Sequence, residues 1–336
     1  MDPRLAAELA AIDGADEEYV ERVFTLVLRR PPEPEARVRA LAKLADGTLS
    51  RATLLHELTS SEEAVRVRLL DDGVSFAAGA RARGERPRWL QAPPGTDERV
   101  VELPWVLARL TGRRALEVGY AFAEAPYLAA LLRAGFERLV GVDLAAADVP
   151  GMETVQADVR ELPFEGRAFD LVLCVSTLEH VGADNSQYGV ADAAGGAGAR
   201  LEALRELRRV LAADGRLLLT VPCGEPGDYG WFRQEDVRGW DRLVARAGFF
   251  VEEQEVYVLG DEGWRSTPRL DARDVRYGDR GPAASAVLCA ELSPRRLRRL
   301  ASVDGLERTA RRRAPDSVRR LRRRTRTDAS GPRTRG

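Results

Sequence analysis

The chain has 336 residues, 44% of them hydrophobic, which suits one full α/β domain and a smaller unit. Formal net charge is −1, and Lys43 is the one lysine among 52 basic residues, so the arginine content is not read as a nucleic-acid footprint and no specific nucleic-acid recognition is predicted. Cys174, Cys223 and Cys289 lie far apart, so neither a disulfide framework nor a zinc site is indicated and they are read as core residues; no metal is expected.

The N-terminus is acidic and lacks a basic n-region followed by an apolar run. No stretch of about 18 apolar residues appears. A soluble, cytoplasmic protein is the expectation.

From Asp16 to Arg68 the spacing predicts a compact helical unit. Tyr19, Val20, Val23, Phe24, Val27 and Leu28 recur at helical intervals, and Pro31, Pro32 and Pro34 then stop the helix. A second helix is expected over Glu35 to Leu44, ending at Asp46-Gly47. Ser50 is placed to cap a third, and Ser60 or Ser61 a fourth. His56 falls on the third as a packed or surface histidine. Tyr19-Val20, Phe24, Leu28-Arg29-Arg30-Pro31, Pro34, Asp46-Gly47-Thr48-Leu49-Ser50 and Ser60-Ser61-Glu62 resemble a small helical domain of unknown function, related to phycobilisome-linker domains and attached to bacterial surface-polysaccharide enzymes. Residues 1–70 are read as this domain and 71–98, rich in Gly, Arg and Pro, as a linker.

Arg99 to Leu110 is a predicted helix with Leu103, Val106, Leu107 and Leu110 on one face, and Pro104 is expected to open its helical geometry. Trp105 is read as core or as lining a mouth. Next come Ala115-Leu116-Glu117-Val118-Gly119, a strand entering a tight turn, and a helix over Glu124 to Ala134. Such a turn brings backbone N–H groups close to a ligand. Strands follow at Leu139 to Asp143, Val155 to Asp158 and Phe169 to Val175, so that carboxylates close three of four successive strands.

That series resembles the class I S-adenosylmethionine-dependent methyltransferases, in particular their type 11 small-molecule branch. The resemblance runs from Arg99 to Leu292. It is carried by Glu117, Gly119, Asp143, Ala157-Asp158, Phe169-Asp170-Leu171-Val172 and Ser176-Thr177-Leu178-Glu179-His180-Val181. Leu207-Arg208-Arg209-Val210-Leu211 and Asp214 to Pro222 extend it. It implies an α/β, Rossmann-like seven-stranded sheet with helices on both faces, preceded by a small all-α domain, with the methyltransferase domain at 99–292. S-adenosyl-L-methionine is the implied cofactor. Asp143 would accept from its ribose hydroxyls, Asp158 would meet the adenine amino group, and Glu117 and Gly119 would shape the methionine end; Tyr120, Leu144, Ala157, Val159 and Ser176 flank them. The sequence departs from the family at Ala121 and Ala123, which stand where later glycines are usual, so the loop is expected to take an ordinary negative-φ path.

His180, just past the fourth strand, is the candidate general base or else a pocket wall. The long segment from Gly182 to Gly198 lies where open α/β folds bind ligands, and supplies Asp184, Asn185 and Tyr188 as candidate substrate residues. Trp231, Trp264 and Arg265 join them, since flat rings cover the CH faces of a sugar and guanidinium forks match oxyanions. A helix is predicted over Arg200 to Ala212, a strand over Arg216 to Val221, a helix over Gln234 to Ala247, and sixth and seventh strands over Phe249 to Leu259 and Ala284 to Leu292 as an antiparallel edge pair.

From Ser293 to Gly336 sixteen Arg face four Asp or Glu, so this segment carries +12 and the remainder −13. Leu297, Leu300, Val303 and Leu306 share a helix face there, a pattern compatible with a membrane-surface or polyanion contact or with a solvated tail. The expected activity is O-methylation of a sugar, glycan or related small hydroxylated acceptor. A Rossmann dehydrogenase is disfavoured by the absence of G-x-G-x-x-G. A weakly binding or non-catalytic scaffold in surface-polysaccharide assembly is the alternative.

Overall fold

The structure, a computed structural model, describes residues 12, 14–88, 90–189 and 195–295. The basic segment expected to form a tail lies outside the described residues beyond 295.

Four helices come first: α1 (Asp16–Leu28), α2 (Pro34–Ala45), α3 (Arg51–Ser60) and α4 (Glu62–Ala82). Ser50 and Ser61 cap α3 and α4 by accepting from the Thr53 and Ala64 amides. Tyr19, Val20, Val23, Phe24, Val27 and Leu28 close this unit's own core around Leu54 and Ala64.

The reading of 71–98 as a linker is corrected, because α4 continues through Ala82. Its buried stripe of Leu70, Val74 and Ala77 packs with α5 (Arg99–Leu107) into the second, larger core. Burial of a Leu or Val of this kind contributes about 1.5–3 kcal/mol, so the stripe outweighs the modest helix propensity of Gly73 and Gly79. Gly73 is required for the approach: a Cβ there would lie 2.7 Å from Cγ of Pro104. Pro104 itself sits inside α5 rather than at its start, another departure from expectation. The helical unit and the sheet thus form one compact unit through residue 295.

The sheet has nine strands: β1 (Gln91–Ala92), β2 (Arg114–Val118), β3 (Arg138–Asp143), β4 (Glu153–Gln156), β5 (Phe169–Val175), β6 (Leu211–Pro222), β9 (Phe250–Gly260), β10 (Gly263–Thr267) and β11 (Ala286–Ser293). A separate hairpin pairs β7 (Gly227–Asp228) with β8 (Arg233–Gln234). Sheet order is β1-β10-β9-β11-β6-β5-β2-β3-β4. The seven from β9 to β4 in that order are those expected. β10 and β1 extend the sheet beyond them, so the sixth and seventh strands are not its edge pair.

Strands β4, β3, β2, β5 and β6 run parallel, and β11 runs antiparallel to β6. Alternation along β2 divides its residues between two cores. Leu116 and Val118 join α7 (Ala199–Val210) and α8 (Val237–Arg246), whereas Ala115 joins α4, α5 and α6 (Ala125–Leu132). Glu117 therefore points to the α5–α6 side. Trp105 is core: it is fully buried, and its indole N–H donates to Glu255 Oε2 at 3.0 Å. The three cysteines are buried and free, and His56 is exposed.

Candidate active site

Parallel register assembles the site. Val118 lies opposite Val142 and Cys174, and Asp143 opposite Gln156, so Gly119, Asp143, Val175 and Ala157 emerge along one edge of the sheet. Chain separation of tens of residues is cancelled by three strand pairings. A cleft of about 1100 Å³, including its open mouth, lies along that edge.

Gly119 begins the loop over the cleft with φ +89° and donates its N–H to Val142 O at 2.9 Å. A short 3-10 turn over Tyr120–Phe122 follows, and Ala123 is extended at φ −72°. The alanines take the ordinary path that their Cβ atoms require. Asp143 holds the turn in place: Oδ2 accepts from Ala121 N at 3.0 Å and Oδ1 from Ala145 N at 2.9 Å.

Glu117 is buried at the floor, with Oε2 accepting from the Tyr127 hydroxyl at 2.8 Å. Burial pushes its carboxyl well above the usual range, against the opposing effects of that hydroxyl and of Arg99. Asp158 is gripped by Arg160, whose Nη2 lies 2.6 Å from Oδ2 and whose backbone N–H donates to Oδ1 at 2.8 Å. Burial raises the Asp158 pKa, but these hydrogen bonds outweigh it and hold the carboxyl below its ordinary value. Ser176 adopts φ +41°, secured by its N–H to Thr220 O at 3.0 Å and its hydroxyl to Glu102 Oε2 at 2.8 Å.

At the acceptor end His180 ends the 3-10 turn after β5. Its Nδ1 lies 3.0 Å from Trp231 O, an acceptor only, so Nδ1 carries the proton and Nε2 the lone pair. Burial lowers the His180 pKa to about 4. The Trp231 ring stacks on the imidazole at 5.1 Å, and Tyr188 meets it edge-on at 5.7 Å. Behind His180, Glu179 is buried with Oε2 unpartnered, and burial pushes its pKa up to about 8.

Glu117, Gly119, Asp143, Leu144, Ala157, Asp158, Val159, Ser176, His180, Asn185 and Tyr188 border this one cleft. Others do not. Tyr120 is buried against Gly141 and donates to Ala147 O at 2.7 Å, so it supports the sheet. Asp184 is exposed and accepts from Ser186 N at 2.9 Å, closing a local turn. Trp264 is buried on β10 with its indole N–H on Thr96 O, and Arg265 is exposed on that added strand. Trp231 reaches the site through His180 rather than through the cleft wall. Asn185 borders the cleft, but its amide is used on His180 O and Ala183 O, both at 3.2 Å.

Sequence reasoning missed Arg99, Leu103, Phe122, Glu124, Tyr127 and Arg160, which also border the cleft. Arg160, two residues from Asp158, had a local signal. Arg99 had none, because only the packing of α5 brings it beside Glu117. No cluster of three or more His, Cys, Asp or Glu able to hold a metal occurs among the described residues.

Residues 116–219 match the family model described as a methyltransferase domain. The match covers less than half of the chain, so it marks a likeness of that segment to methyltransferase domains. An uncharacterized protein of Methanocaldococcus jannaschii is 38% identical over 65 residues, 19% of this chain and 21% of the relative's own length. Among solved structures, the 1,6-didemethyltoxoflavin-N1-methyltransferase of Burkholderia thailandensis, with bound 1,6-didemethyltoxoflavin and S-adenosylhomocysteine, is 15% identical. It covers 81% of this chain and 89% of its own, with a TM-score of 0.38. A protein of Pyrococcus horikoshii OT3 is 16% identical, covering 59% and 90%, also at a TM-score of 0.38. No described helix is long and apolar enough to cross a membrane.

Proposed function

We propose that this protein is an S-adenosyl-L-methionine-dependent methyltransferase acting on a small hydroxylated acceptor, with a sugar or glycan as the first choice. One observation carries the reading: Glu117, Asp143 and Asp158, at or just past the ends of three parallel strands, border a single hollow beneath the Gly119 turn. The residues fit the cofactor. Gly119 keeps the turn at the cleft free of a side chain, Glu117 and Arg99 offer a carboxyl and a guanidinium to an amino-acid end, and Asp143 retains lone pairs for a ribose.

When bound, S-adenosyl-L-methionine supplies an electrophilic methyl on a sulfonium, so the protein's task is alignment and exclusion of water. His180 takes the acceptor proton at Nε2, which is free to receive it because Nδ1 is committed to Trp231 O. Held along Glu117, Gly119, Asp143 and Asp158, the cofactor would supply the methyl to the acceptor oxygen with loss of its carbon–sulfur bond, while His180 keeps the acceptor's proton at Nε2. Tyr188 and Phe122, 5.0 Å apart, offer flat faces to a ring. The basic segment beyond 295 is proposed as a contact for a membrane surface or polyanion.

The test has two stages. S-adenosylhomocysteine at a hundredfold excess over Kd adds about 2.7 kcal/mol to the native state, so the melting temperature must rise. Labelled methyl transfer is then screened against nucleotide sugars and glycans. A melting point indifferent to the ligand removes the enzymatic reading in favour of a scaffold, whereas binding without transfer to any hydroxylated acceptor removes only the acceptor class.

A further inference from the structure

We infer that Arg66 of the N-terminal helical unit is a positioning residue for cofactor binding: it clamps the two lips of the cleft, so that the helical unit completes the donor site. This rests on the S-adenosyl-L-methionine reading above. Arg66, on α4, forms ion pairs with both Asp97 and Glu124. Its Nε serves Asp97 and its Nη2 serves Glu124, so the planar fork spans two segments that are not otherwise bonded to each other through these side chains.

Each segment carries residues that border the cleft. Asp97 Oδ1 accepts from the Arg99 amide at 3.1 Å, which fixes the first turn of α5, and Arg99 enters the cleft from there. Glu124 is the last residue of the loop that begins at Gly119; it stands immediately before α6 and its own side chain caps no helix amide. The loop is therefore held by Asp143 through Ala121 and by Arg66 through Glu124. Between these anchors lie Phe122 and Ala123, both on the cleft.

The three charged side chains are 26%, 22% and 29% exposed, so solvent screens the pairs less than it screens a fully exposed one. One cation facing two carboxylates also keeps the lips from repelling each other. The α4 stripe on α5 seats Arg66 in this position. A freely tethered helical domain could not supply such a brace.

The full-length protein is used for the test, with S-adenosylhomocysteine affinity read by calorimetry well below the melting temperature. Arg66→Ala should weaken binding about tenfold, and Arg66→Lys, a single point charge in place of a fork, by less. Asp97→Asn keeps the shape, lies outside the cleft wall, and should weaken binding in wild type but not in the Arg66→Ala background. Arg29→Ala removes an ion pair of the same helical unit, with Asp71 at 3.1 Å, and should leave affinity unchanged. Equal affinity of Arg66→Ala and wild type overturns the inference; if Arg66→Ala does not fold, unchanged affinity in Asp97→Asn overturns it. Failure of wild type itself to bind strikes the cofactor reading instead, before any variant is compared.

Discussion

A Cβ on residue 119 would fall 2.2 Å from Oγ1 of Thr177, so Gly119 and Thr177 occupy space that only a hydrogen on the glycine leaves available. Thr177 cannot easily retreat, because Oγ1 lies 3.1 Å from Val118 O and 2.9 Å from Val175 O and holds the ends of β2 and β5 together. The strand pairing and the turn over the cleft are thereby one arrangement.

Gly119→Ala combines this clash with a residue forced to positive φ. It should destabilise the protein by about 1–3 kcal/mol in urea unfolding and weaken S-adenosylhomocysteine binding. Thr177→Ala in the same chain should recover part of the stability, since it removes Oγ1 and Cγ2 but leaves a Cβ at 3.1 Å. A Gly119→Ala variant as stable as wild type would show that the loop can take another path.

Glu179 sets a pH dependence of stability. Burial raises its pKa to about 8 in the folded state, from an ordinary 4.5. The folded protein then binds more protons than the unfolded chain between those values, so stability falls as pH rises from about 4.5 toward 8 and levels off above. His180 acts in the opposite sense at lower pH, its pKa lowered by burial from 6.5 to about 4, so its contribution is lost as pH falls through that range. Above pH 6.5 the effect of Glu179 can be read free of His180. Glu179→Gln should therefore be more stable than wild type at pH 8.5, by up to a few kcal/mol, and close to wild type near pH 5. Urea unfolding at the two pH values decides it, and a gap that does not grow with pH would contradict the assignment.

Arg160 competes for Asp158. Both carboxylate oxygens lie 3.0 Å from the guanidinium Nε, so an adenine amino group approaching Asp158 must displace or share that partner. Arg160→Ala should tighten S-adenosylhomocysteine binding several-fold by calorimetry, and adding Asp158→Ala should abolish the gain. Weaker binding in the single variant would mean that Arg160 contacts the nucleoside itself.

Local chemistry in the chain already contained much of this site. Alternating apolar strands that end in Glu117 at Gly119, in Asp143 and near Asp158 specify a parallel α/β sheet with acids along one edge, because period-2 burial and the turn residues act over a few neighbours. The serine caps of α3 and α4 were legible for the same reason. Arg99, Glu124 and the Arg66 clamp were not: from residue 71 on, α4 reads as the start of a Gly- and Arg-rich linker until its stripe meets Pro104 and α5. Trp264 and Arg265 show the converse, since their chemistry suits a ligand but strand β10 carries them to an added edge of the sheet. Which carboxylates converge is decided by short-range pattern and strand register, whereas the walls around them are decided by packing between segments distant in sequence, where burial and ion pairing act without any periodic trace in the chain.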